Sequence, residues 1–120
     1  MNQNQIKYFT SKSDSQAWRA LLTNWCGIFA ILAVVNIWTN PVTIVIAVVL
    51  LGGRMLGLAV LMHECGHHTF FTSAKLNRFV GQWLCATPTF NDLDVFANEH
   101  KIHHQKAGTL EDPNLSNYQA

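Results

Sequence analysis

Residues 20–62 read ALLTNWCGIFAILAVVNIWTNPVTIVIAVVLLGGRMLGLAVLM, and the fold is decided by what this stretch lacks. From Ala20 to Gly53 there is no Asp, Glu, Lys or Arg. A bilayer's hydrocarbon core of roughly 30 Å is crossed by about 20 apolar helical residues, so the stretch holds two crossings. Thr39, Asn40 and Pro41 break it near the middle, and proline suits the first turn of a helix, where its missing N–H is no loss. The spacing predicts one span near Ala20–Trp38 and a second near Pro41–Met62. Trp18, Trp25 and Trp38 fall at or near the expected membrane interfaces. A buried hairpin in a soluble protein is the alternative, but so long an uncharged run is uncommon there. The long polar lead and the absence of a convincing small-residue cleavage site argue against a cleaved signal peptide.

Charge lies outward of this stretch. The chain carries 8 Lys plus Arg against 7 Asp plus Glu, so its net charge points to no partner, and no basic patch suggests nucleic acid. Lys7, Lys12 and Arg19 precede the first span, Lys75 and Arg78 follow the second, and the Thr39-Asn40 connection is uncharged. Cytoplasmic loops hold the excess of lysine and arginine, so both chain ends are expected on the cytoplasmic side. Cys26, Cys65 and Cys85 form no paired framework and read as reduced thiols. Arg54 is the one charge inside the second span, nine residues before His63. A charge at that depth faces protein, water or a counter-ion. Pairing with a carboxylate or lipid head group and a purely structural helix–helix contact are both open. Gly52, Gly53 and Gly57 would let another helix approach closely.

Before the spans, residues 1–19 are a polar lead. After them, Leu76, Phe79, Val80, Trp83 and Leu84 recur at helical spacing between Lys75, Asn77, Arg78 and Gln82. This predicts an amphipathic helix on the membrane face or docked on the other helices, capped by Thr72 or Ser73 and ended by Pro88. Asn91 or Asp92 would cap a further helix near Leu93–Lys106, with Gly108 and Pro113 marking its end.

All six histidines lie between His63 and His104 in two tight groups, His63-Glu64-Cys65-Gly66-His67-His68 and His100-Lys101-Ile102-His103-His104. Helical residues three or four apart share a face, which puts His63 with His67 and gathers His100, His103 and His104. His68 reaches inward if the helix ends beside it. Two such faces turned together would offer up to six imidazoles, more than one four-coordinate zinc uses. The count points to two metals, or one metal with spare ligands, and leaves iron against zinc open. Cys65 reads as a packed thiol before it reads as a ligand. Asp92, Asp94, Glu99 and Asp112 are candidates to accept the second N–H of metal-bound imidazoles, with helix capping and solvation as the plainer role for each. The first group also matches H-E-x-x-H, in which two histidines hold zinc and the glutamate is a general base, but that reading leaves most of the second group without a purpose.

Read as H-x-x-x-H-H and H-x-x-H-H, the two groups resemble the first two histidine boxes of the integral-membrane fatty-acid desaturase and hydroxylase superfamily. The flanks share the resemblance: Leu61-Met62 before the first box, Thr69-Phe70-Phe71 after it, Asn77 to Pro88 between the boxes, and Gly108-Thr109 with Asp112-Pro113-Asn114 after the second. The resemblance runs from about Arg54 to Asn114. It implies an all-α membrane protein, a transmembrane helical hairpin over residues 20–62 followed by a cytoplasmic histidine-box region over residues 63–120. It also implies that His63, His67, His68, His100, His103 and His104 bind two non-haem irons. The expected activity is O2-dependent desaturation of a lipid acyl chain, with electrons from a small redox protein such as ferredoxin or cytochrome b5. The superfamily's third box and further spans have no counterpart before Ala120. The sequence is therefore expected to be a partial chain, inactive alone. An intramembrane zinc metalloprotease and a non-catalytic metal-binding fragment are the competing readings.

Overall fold

The computed structural model describes residues 12–115, and the regular elements among them are all helices, without strands. The first eleven residues of the polar lead, with Lys7, and residues 116–120 of the tail lie outside the described residues. Helix α1 spans Asp14–Ile37 and α2 spans Pro41–Gly66. Both are long and apolar enough to cross a bilayer. Only 17% of the most apolar window of α1 and 11% of that of α2 is buried within the chain, whereas the core helix of a soluble protein would be covered. Val42, Val45, Val48 and Val49 turn outward, as side chains facing hydrocarbon do.

The helix starts two turns before the expected Ala20. Asp14 sits in its first turn, where a carboxylate offsets the positive end of the helix dipole. The connection to α2 closes as a capping box: Asn40 Oδ1 accepts from Val42 N at 3.0 Å and Thr43 N at 3.1 Å, and Thr43 Oγ1 accepts from Asn40 N at 3.1 Å. Pro41 takes the first helical position, so the free donors at this end are satisfied or absent.

The two helices cross tightly where small residues allow it. Asn24 Nδ2 donates to the Arg54 carbonyl at 3.0 Å. A Cβ on Gly57 would stand 2.6 Å from Asn24 Oδ1, and one on Gly27 would stand 3.1 Å from Arg54 Cδ. Arg54 therefore makes a helix–helix contact, its stem lying across Gly27, and among the described residues no carboxylate pairs with it. Gly52 and Gly53, by contrast, have open space beside them among the described residues.

The chain packs on itself at one end of the hairpin. Ala17, Leu21, Met62, Cys65, Phe71, Val80, Cys85 and Leu93 form a contiguous core beneath the first histidine group. Helix α3, Ala74–Val80, is capped by Ser73, whose hydroxyl accepts from Leu76 N. The expected helix through to Pro88 does not continue in α form. At Gly81 the hydrogen-bond register widens to a π turn over Gly81–Ala86, followed by a 3-10 turn over Thr87–Thr89. Gly81 lies so close to α2 that a Cβ there would be 2.6 Å from Cys65 Cβ. Side chains take up carbonyls along the widened turn: Trp25 Nε1 donates to Leu84 O at 3.2 Å and Thr87 Oγ1 to Gln82 O at 2.8 Å. Trp25 is thus a structural donor between elements. One face of the segment docks on α2 while Phe79 and Trp83 stay exposed, so it is both docked and amphipathic.

Helix α4, Leu93–Lys106, starts from two caps. Asp92 Oδ1 accepts from Val95 N at 3.0 Å, and Gln82 Oε1 reaches over from the π turn to accept from Leu93 N at 2.9 Å. The π turn thereby fixes where the second histidine helix begins.

Candidate metal centre

Helix α2 carries His63 on its last turn and gives His67 its C-terminal cap position, so both rings leave the helix end on one side, 4.7 Å apart between centroids. Helix α4 brings His100 against them, 4.4 Å from His63 and 4.9 Å from His67. One ring nitrogen from each of the three lies within 4.8 Å of the others. His104 adjoins this trio: its ring is 5.2 Å from His67, and its Nε2 lies 2.9 Å from His100 Nε2, a distance at which one ring donates to the other. Phe96 lies nearly flat on His100, at 5.1 Å and 12°, and limits how that ring can turn.

The remaining two histidines sit at the margin. His103 Nδ1 lies 2.8 Å from Asp112 Oδ1, its ring 5.8 Å from those of His100 and His104. His68 follows the end of α2 in the left-handed region at φ 57°, exposed, and lines a cleft with His67, His100, Lys101 and His104. Of the six histidines named from the sequence, four converge, one leans on a carboxylate beside them and one borders the same cleft.

Of the four candidate carboxylates, only Asp112 meets an imidazole. It is buried, and accepts from Gly108 N at 3.1 Å and Asn114 N at 2.9 Å as well as facing His103. Burial alone would raise its carboxyl, but the His103 contact and the two backbone donors together hold it below the usual range. Asp92 is a helix cap, Asp94 pairs with Arg78 at 2.6 Å on the surface, and Glu99 is exposed. Glu64, the general base of the H-E-x-x-H reading, accepts from Thr69 Oγ1 at 2.7 Å. Cys65 is fully buried in the core and is a packed thiol.

Two of the imidazoles, His67 and His100, are pushed toward the neutral form. Burial, and then the neighbouring His63 and His104 rings, push His67 below the ordinary imidazole value, against a smaller opposing pull from Glu64. Burial first, and then the surrounding rings of His63, His104, His67 and His103, lower His100 to about 4. Neutral imidazoles are the form that binds metal. Ligands about 2 Å from one ion lie at most about 4 Å apart, so the trio needs only a small inward movement to share one. The all-nitrogen donor set suits iron, copper, nickel or zinc. The residues present therefore fit a non-haem metal.

Three residues that organise the site escaped the sequence reading. Gly81 permits α2 and the π turn to touch, Gln82 caps α4, and buried Asn77 holds the loop after the first histidine group by accepting from Phe71 N at 3.0 Å and donating to Phe71 O at 2.8 Å. A glycine and two amides inside an otherwise apolar helical pattern were the available signal.

The chain matches the family model described as fatty acid desaturase over residues 39–119. It is 39% identical over 62 residues to the "Omega-3 fatty acid desaturase, endoplasmic reticulum" of Vigna radiata var. radiata, an alignment covering 50% of this chain and 16% of that protein. It is 37% identical over 54 residues to the "Delta(12) fatty acid desaturase" of Mortierella isabellina and to that of Mortierella alpina, covering 45% of this chain and 13% of each. The chain thus spans a small fraction of the length of these relatives. No solved structure matches it.

Proposed function

This chain belongs to the fatty acid desaturase family, and from that premise we propose that it forms the front part of a membrane di-iron oxygenase that desaturates lipid acyl chains. The observation that carries the reading is the meeting of His63 and His67 from α2 with His100 from α4, separated by more than thirty residues in sequence yet within 4.8 Å at their ring nitrogens. The ligand set is His63, His67, His68, His100, His103 and His104, completed by a third histidine group on further spans of a longer protein. Desaturation is preferred to hydroxylation because the three relatives are all named as desaturases. Both chain ends and the histidines face the cytoplasm, since Lys12, Arg19, Lys75 and Arg78 flank that end of the hairpin and the other end is uncharged.

Iron, when bound, supplies the oxygen-dependent attack on an unactivated C–H bond, with electrons from a small redox protein such as ferredoxin or cytochrome b5. The chain's own groups prepare the place. Asp112 accepts the Nδ1 proton of His103 and so favours the tautomer in which Nε2 is the ring's acceptor nitrogen, and it orients the ring. One of the facing Nε2 atoms of His100 and His104 carries the shared proton, which would have to sit on Nδ1 of its own ring for both nitrogens to serve as ligands. Burial with the neighbouring rings favours the neutral, metal-binding form of His67 and His100. Phe96 and Met62 line an apolar hollow beside His63.

The zinc protease reading is not favoured, because the chain belongs to the fatty acid desaturase family and Glu64 is engaged by Thr69. The test is expression of the gene in a host that lacks unsaturated lipids, followed by fatty-acid analysis by gas chromatography and mass spectrometry. New double bonds are expected, and their loss in His63→Ala and His100→Ala. A host whose acyl chains stay unchanged refutes the activity. Metal analysis of the purified protein separates two irons from the single zinc of a protease.

A further inference from the structure

The turn that follows the first histidine group is held from the far side of the hairpin. Lys12 Nζ donates to the His68 carbonyl at 2.7 Å. Two residues on, Asp14 accepts from Thr72 N and from Thr72 Oγ1, both at 2.8 Å. Trp18, one turn further along α1, meets Phe71 edge-on at 5.2 Å, and Phe71 is completely buried. Residues 12–18 thus grip both ends of a five-residue turn more than fifty positions away in sequence. They precede the region that the family model matches.

The grip has a specific object. His68 takes φ 57°, a conformation that side-chain-bearing residues seldom adopt and keep only where surrounding contacts impose it. Its N–H donates to Cys65 O at 2.9 Å, and Thr69 N donates to Glu64 O at 3.0 Å, which ends α2 abruptly. In a continuing helix, position 68 would leave the face shared by 63 and 67. The reversal instead turns His68 onto the cleft lined by His67, His100 and His104. Helix α2 holds the start of the turn through His68 N and Thr69 N, and Asn77 holds its middle at Phe71; the Lys12 and Asp14 bonds are the hold that α1 adds at its two ends.

We infer that Lys12 and Asp14 are positioning residues for His68, holding the His68–Thr72 turn so that this imidazole joins the metal cleft. The inference rests on the metal-centre reading above. It assigns α1 a part in the site although α1 supplies no histidine.

Cobalt(II) is the probe, titrated into the protein as its gene encodes it, purified in detergent and followed by visible absorption and circular dichroism. Asp14→Ala and His68→Ala are each expected to weaken cobalt binding about tenfold, as loss of supporting partners around a metal does. The double variant binds no more weakly than His68→Ala alone, because both changes remove the same ligand. Asp14→Asn stays close to the wild type, since its carboxamide accepts from Thr72 N and donates to Thr72 Oγ1. If the wild type binds no cobalt, or His63→Ala binds as well as the wild type, the metal centre itself falls and this inference with it. If His63→Ala fails to bind while Asp14→Ala binds like the wild type, or the two losses add in the double variant, the inference alone is overturned. Should Asp14→Ala lose helical content, Thr72→Val against Thr72→Ser decides: weaker binding by the valine variant only supports the role, and equal binding refutes it.

Discussion

Replacing Gly81 with alanine puts the whole arrangement under test through one methyl group. The added Cβ would stand 2.6 Å from Cys65 Cβ, 2.9 Å from Leu93 Cδ2 and 3.2 Å from Leu93 Cδ1. Carbon atoms pack at about 3.5–4.0 Å, so the contact with Cys65 is short by about 1 Å. Leu93 can turn aside, but Cys65 Cβ is fixed to the backbone of α2, and the π turn must move away from it. Overpacking of this kind costs about 1–3 kcal/mol. The same movement drags α4, because Gln82 next door caps Leu93 and the helix runs rigidly from there to His100 two turns later. A displacement of about 1 Å at a site of this type reduces its performance by about a hundredfold. Gly81→Ala is therefore expected to lose about 2 kcal/mol in denaturant unfolding and to bind cobalt far more weakly, while Gly52→Ala and Gly53→Ala, beside open space, shift stability by no more than about 0.5 kcal/mol. Adding Leu93→Ala to Gly81→Ala should cost less than the sum of the two, with a coupling above about 0.5 kcal/mol. A Gly81→Ala protein that unfolds and binds metal as the wild type does would refute the packing argument and its link to the site.

Asp112→Asn should weaken metal binding by about 10- to 100-fold by loosening His103, whereas Asp94→Asn, which breaks only an exposed pair with Arg78, should leave titrations unchanged. In the metal-free protein the unfolded chain binds a proton near pH 6.5 at position 100 that the folded chain refuses until about 4. That contribution to stability is complete above about pH 6.5 and is lost as pH falls towards 4. His100→Gln should flatten the fall, and an unchanged slope in denaturant titrations across this window would refute it. Asn24→Ala removes the bond to the Arg54 carbonyl and should cost about 0.6 kcal/mol, the usual size inside membranes.

Much of this was legible in the amino-acid order because the dominant forces are periodic or compositional. The uncharged run fixed the hairpin, Pro41 after Asn40 fixed its corner, and the i, i+4 spacing put His63 with His67 and His100 with His104. What escaped was set by contacts between distant residues. The start of α1 at Asp14 depends on Thr72, and the break from α-helix at Gly81 depends on how near Cys65 comes. Arg54 left two roles open because Gly27, which its stem lies across, is on another helix and carries no side chain to announce the contact. The four carboxylates looked alike in sequence, and only the reversal of the chain at Gly108, φ 76°, returns Asp112 to His103.

The arrangement also indicates which interactions hold the imidazoles together. Four rings of one kind do not gather for their own sake: if protonated they repel, and as neutral polar groups they prefer water. Their approach is held by apolar packing just beneath them, where Cys65, Val80, Cys85 and Leu93 are buried to 3% exposure or less. That packing needs the missing side chain of Gly81, the cap from Gln82 and the amide of Asn77, none of which offers a metal ligand. The histidines are thus assembled by the fold itself, and an ion's binding energy is left to tighten a cluster that has already formed.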